Sequence, residues 1–131
     1  WACLYFATTR YLQLPLMKTL QKKVATDEET LVTETNKKES TIKSNEELNS
    51  KLNQLNEEFA SIENDSNLTA DEKSKKSAKI KKEISSTQSK INLNSKKIEI
   101  STKKIETLEK RIESSKKELE EKKKKEEEKK K

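Results

Sequence analysis

Asp65, Asn67, Thr69 and Asp71 stand at alternate positions of the stretch "DSNLTADEKSKK", residues 65–76. Oxygen-bearing side chains at that spacing make up the first half of a calcium loop, which surrounds a hard cation with carboxylate and carbonyl oxygens. The second half fails. Ala70 stands where such a loop turns on glycine, and Lys76 stands where the bidentate glutamate belongs. A lysine there brings the wrong charge to the cation. The same residues read well as a turn and a helix cap. Asn, Asp and Ser side chains compete for backbone hydrogen bonds and favour turns. Thr69 followed by Glu72 is a capping box, which places a helix start at about Ala70. No metal or cofactor site is expected.

Other chemistry is equally thin. The chain has no histidine, the commonest general base, and no glycine with which to build a phosphate-cradling loop. Its single cysteine, Cys3, excludes an internal disulfide and reads as a small hydrophobe against a partner. Its glutamates recur at helical spacing among lysines, a solvated lattice that gives no reason for two carboxylates to split their pKa values. No catalytic residue is assigned, and the chain reads as non-enzymatic. Asn64-Asp65-Ser66 and Asn67-Leu68-Thr69 match the glycosylation triplet, which matters only in a secretory pathway and is otherwise turn chemistry. Lys73, Lys75, Lys76, Lys79, Lys81 and Lys82 crowd one ten-residue run. They could meet nucleic acid, an anionic lipid surface or an acidic protein. The run has no arginine fork and no aromatic for base stacking, so a solvated helix face is favoured over that reading.

These groups need elements to carry them, and composition limits the choice. Of 131 residues, 28% are hydrophobic and 41% charged, against about 45–50% and about 25% in ordinary globular domains. A chain without glycine and with one proline has few tight turns, so long helices are expected and sheets are not. The net charge of +6 permits acidic partners without demanding them. No run reaches the ~18–20 apolar residues of a membrane-spanning helix.

Leu48, Leu52, Leu55, Phe59 and Ile62 are spaced four and three in alternation, a heptad seam with Leu48, Leu55 and Ile62 at d and Leu52 and Phe59 at a. Asn45 takes the preceding a position. Further on, Ile84, Ile91, Ile98, Ile105, Ile112 and Leu119 recur every seven residues at a, with Ile80 and Leu108 at d. The remaining d positions are Thr87, Asn94, Ser101 and Ser115, so this seam is firm at a and soft at d. Glu99–Lys103, Glu106–Lys110, Glu113–Lys117 and Glu120–Lys124 are i, i+4 pairs in the favourable order, each contributing roughly 0.2–0.5 kcal/mol. Leu93 and Ile100 lie at c, off the seam, and suggest a second contact with a third helix.

The expected organisation is all-α: an elongated coiled coil, folded as a hairpin with one long helix. Residues 1–20 form an apolar docking segment whose Trp1, Leu4, Tyr5, Tyr11 and Leu12 share a helical face ended or kinked at Pro15. A protein surface is the favoured dock, with a membrane interface as the alternative. Residues 21–40 read as a transitional polar linker or helix, 41–63 as the first coiled-coil helix, 64–69 as the turn and 70–131 as the long helix with a charged tail. The cap and turn favour the hairpin over a continuous rod, which would need a stutter. In that hairpin Leu55 would sit near Ile80, and Leu52 near Ile84. Going back from Leu48, the first helix offers only Asn45, Thr41 and Lys38 to Ile91, Ile98 and beyond. The stripe from Ile98 to Leu119 is therefore expected to meet another chain. The function this implies is structural: a scaffold, spacer or assembly subunit that self-associates or joins other helices. A basic binding module through the 73–82 lysines and a secreted or surface stalk are the alternatives.

Overall fold

The computed structural model describes the backbone of residues 2–130 and the side chains of residues 16–128. Two helices account for nearly all of it: α1, Ala2–Glu63, of 62 residues, and α2, Ala70–Lys130, of 61 residues. They pack against each other as an antiparallel hairpin, and no strand occurs among the described residues. The expected hairpin is thus present, with its second helix starting at Ala70.

The reversal is made without any residue of positive φ among those described. That is how a glycine-free chain turns: it uses six residues instead of a tight left-handed corner. At the end of α1 the amide of Asn64 donates to the Ala60 carbonyl at 3.1 Å, and that of Asp65 to the Ile62 carbonyl at 3.3 Å, tightening the last turn. Lys73 reaches back from α2 and donates its Nζ to the Glu63 carbonyl at 3.2 Å. A cation there also suits the negative end of the helix dipole. The Asn67 amide donates to Asp65 Oδ1 at 3.0 Å, an Asx turn. The Glu72 amide then donates to Thr69 Oγ1 at 3.2 Å, so Thr69 is the N-cap, and Asp71 and Glu72 place negative charge in the first turn. Thr69→Ala should weaken the hairpin by about 0.5–2 kcal/mol in urea unfolding. A neutral or stabilising result would mean that the hydroxyl does not cap.

Three expectations change. The hairpin has two long helices, not one. α1 runs through residues 21–40 and through the expected boundary near residue 20 without interruption. It also does not end at Pro15; a proline deletes one backbone bond while its neighbours keep theirs. The helix persists over its polar middle because most residues there are good helix formers. Its threonines are accommodated too: Thr26, Thr30, Thr33 and Thr41 each donate their hydroxyl to the carbonyl one turn back, at 2.8–3.1 Å.

The third change concerns the isoleucine stripe. The chain divides into two compact units. The turn unit is Asn36–Thr102; the terminal unit joins Trp1–Thr35 to Lys103–Lys131. In the terminal unit Met17 and Val24 of α1 are buried together with Leu108 and Ile112 of α2. Leu20, Leu31, Ile105 and Leu119 are half-buried there. The distal part of the stripe thus packs within a unit that includes residues 16–35 of its own chain. The expectation that it lacks an internal partner is overturned, because the α1 heptad does not stop at Lys38. Met17, Val24, Leu31, Lys38, Asn45, Leu52 and Phe59 form one a series at intervals of seven, apolar at both ends and polar in the middle.

In the turn unit Leu55, Ile80 and Thr87 are buried, with Leu48, Leu52, Phe59, Ile62, Ile84, Ile91 and Ile98 half-buried along the same seam. Polar side chains at soft seam positions satisfy themselves locally. Thr87 donates to the Glu83 carbonyl at 2.7 Å, and Ser77 to Glu63 Oε1 at 3.4 Å. A buried hydroxyl so bonded avoids the cost of an unmet donor.

Candidate interaction surface

Two polar residues break the α1 seam and meet α2. Asp27 sits at a d position and is 6% exposed. Its Oδ1 pairs with an Arg111 guanidinium nitrogen at 3.3 Å, while its Oδ2 is buried without a partner. One turn of register away, Glu28 and Lys116, both at e, pair at 3.2 Å. An e–e pair is what antiparallel helices bring together beside a shared seam. In the turn unit Asn45 directs its Nδ2 at the Ile91 carbonyl (3.5 Å) and Ser95 Oγ (3.4 Å), both long contacts, and its Oδ1 is buried without a partner. Such residues cost stability and select one alignment over its neighbours. Sequence reasoning left Asp27 and Arg111 unassigned. The signal was available in the sevens that place Met17 and Val24 in phase with Leu52, since they set Asp27 at d.

The lysine cluster divides. Lys73 is tied to the end of α1, and Lys81 Nζ lies 5.6 Å from the centroid of the Phe59 ring, a cation–π contact across the seam. Lys75, Lys76, Lys79 and Lys82 are exposed. In the loop that resembled half a calcium site, Asp65 Oδ1 and Thr69 Oγ1 accept backbone amides, so turn and cap consume those oxygens. No group of three or more potential metal ligands occurs among the described residues. Asn64 and Asn67 are exposed at the turn. Of the charged ladder, Glu113–Lys117 closes at 3.7 Å, and Glu99 and Lys103 are both engaged. The side chains of Trp1, Cys3, Leu4, Tyr5, Tyr11 and Leu12 lie outside the described residues.

Not all aliphatic side chains enter the seam. Leu93 and Ile100 are each 55% exposed on the outer side of α2, and Ile42 is 37% exposed on α1. Among the described residues no helix is long and apolar enough to cross a membrane.

Fold and surface together define an all-α, antiparallel coiled-coil hairpin. No protein-family model, curated protein or solved structure matches the chain.

Proposed function

We propose that this chain is a non-enzymatic structural element, a coiled-coil hairpin whose outer faces hold or space other helices in an assembly. The observation that carries the reading is the pair Leu93 and Ile100, exposed aliphatics on a helix whose seam is already used within the chain. A hairpin of two helices buries one seam and leaves the rest of each helix to solvent or to further helices. Isoleucine and leucine outside the seam contribute nothing to the hairpin itself, so a contact beyond it accounts for them.

Amine-reactive cross-linking in the cells that make the protein, followed by mass mapping, tests this. Intermolecular links from outer-face lysines such as Lys96 and Lys97 are expected. A chain recovered with internal links alone would overturn the proposal. The exposed set Lys75, Lys79 and Lys82, three and four residues apart on one face, favours a second reading as a basic module for an acidic surface. Its mark is duplex DNA or anionic-vesicle binding that falls steeply with salt and is lost when those three lysines become alanine.

A further inference from the structure

Leu93, Lys96, Lys97 and Ile100 occupy positions i, i+3, i+4 and i+7 of α2, and all four are exposed. Four residues at that spacing are the hole into which a knob from a facing helix inserts. This hole is unusual in composition: aliphatic at both ends and cationic at both sides. Neither Lys96 nor Lys97 forms an ion pair among the described residues. Its complement is a helix with one aliphatic knob and a carboxylate about one turn to either side.

The turn unit carries that complement on its other helix. Ile42, 37% exposed, is flanked on α1 by Glu39 three residues before and Glu46 four residues after, both exposed. These three share a face, because residues three and four apart are neighbours on a helix surface. Ile42 stands at e, next to Thr41 at d, whereas Leu93 and Ile100 stand at c. In an antiparallel pair the e positions of both helices border one edge of the seam, and c lies beyond the other edge. The knob therefore cannot reach the hole of its own chain.

We propose that the Glu39–Ile42–Glu46 face of one copy docks into the Leu93/Lys96/Lys97/Ile100 hole of a second copy. Ile42 fills the space between Leu93 and Ile100, and the two glutamates meet the two lysines. The match of charge to charge and of one aliphatic to two selects a second copy. A nucleic acid or membrane would engage the lysines but has no reason to require an isoleucine with acidic flanks. Because knob and hole lie on opposite edges, the contact is heterologous: each copy offers a free face at both ends, so copies add in series instead of stopping at two. One knob per contact makes the association weak and concentration-dependent.

The proposal rests on the structural reading above, and its test is separate from it. The full chain is sedimented over a range of concentrations up to about 1 mM, where an association with a Kd in the upper micromolar range shows. Weight-average mass should rise past that of a dimer without a plateau. Two charge-reversed variants, E39K/E46K and K96E/K97E, change only exposed residues and should keep the helical circular dichroism of the parent. Each alone should lose about tenfold or more in association. Mixed one to one they should recover it, since the lysine face of one then fits the glutamate hole of the other. A chain that stays monomeric, an assembly that stops at a dimer, or variants that associate like the parent would each overturn the proposal. So would a monomeric chain that binds duplex DNA or phosphatidylserine vesicles through Lys96 and Lys97. A monomer in sedimentation that still gives links to other proteins in cells would remove this self-pairing alone and leave the structural role standing.

Discussion

Ile112→Lys is expected to release the terminal unit from its packing. Ile112 is 8% exposed and shares its unit with buried Met17, Val24 and Leu108. Deleting such a side chain costs about 2–5 kcal/mol through lost transfer energy and the cavity left behind. Lysine adds a charge that must either be buried unpaired or pry the helices apart to reach water. Marginal stability leaves little to absorb this, since whole domains are stable by only about 5–15 kcal/mol. Amide exchange should therefore quicken across residues 16–35 and 103–128. The turn unit, with Leu55 and Ile80 buried in a core of its own, should keep its protection. The effect should also be independent of protein concentration, because the partner of Ile112 lies in its own chain. Unchanged protection over residues 16–35 would show that α2 does not hold them. A parent midpoint that climbs steeply with concentration would show the seam closing between chains.

Asp27 should give the opposite sign. Asp27→Leu is expected to raise stability, by roughly 1–4 kcal/mol, the range seen when buried ionic groups give way to packed apolar ones. Its Oδ2 has neither solvent nor a partner, and a desolvated acceptor left unmet costs about 1–3 kcal/mol. Arg111 does not suffer from the change, being 51% exposed and able to keep its charge in water. Arg111→Ala is the control with the reverse sign. It strands a carboxylate that is 8% exposed, and removing one partner of a buried pair costs up to about 3–5 kcal/mol, less here because the arginine is half-exposed. Both changes are read by chemical denaturation. If Asp27→Leu destabilises, the pair does more for the folded state than its desolvation costs, and the reading of Asp27 as a selector of register fails.

That selector role explains why the polar seam residues survive in the fold. A hairpin of repeating heptads can slide by one heptad and still match apolar to apolar. Asp27 meeting Arg111 and Glu28 meeting Lys116 exist in one alignment only. Asn45 opposite Ile91 and Ser95 gives the turn unit its own marker. Each is a local loss that penalises the shifted alternatives more than the correct one.

Much of this was legible in residue order alone. The heptads from Leu48 to Ile62 and from Ile80 to Leu119 follow from spacings that only a helix turns into a stripe. Thr69 with Glu72 marked the start of α2, because a helix must satisfy its first amides and few side chains do so. Absence of glycine left long helices and few turns. The exposure of Leu93 and Ile100 followed from their place at c, off the seam. What the linear order did not decide was the fate of residues whose own chemistry is indifferent. Asp27 and Glu34 were unassigned, and Lys38, Thr41 and Asn45 read as polar seam positions with little to offer, so the apolar α1 seam seemed to end at Leu48. Only the antiparallel partner decides what they meet: once the turn at 64–69 fixes which residues of α2 run alongside, each heptad step back along α1 meets a heptad step forward along α2. Met17 and Val24 are then buried in a unit that they share with residues of α2 such as Leu108 and Ile112, more than eighty residues away in the chain, and no local pattern can express that. Periodicity and capping are properties of a few neighbouring residues; register and the pairing of a buried carboxylate with its arginine are properties of two segments placed side by side, which only the tertiary structure brings together.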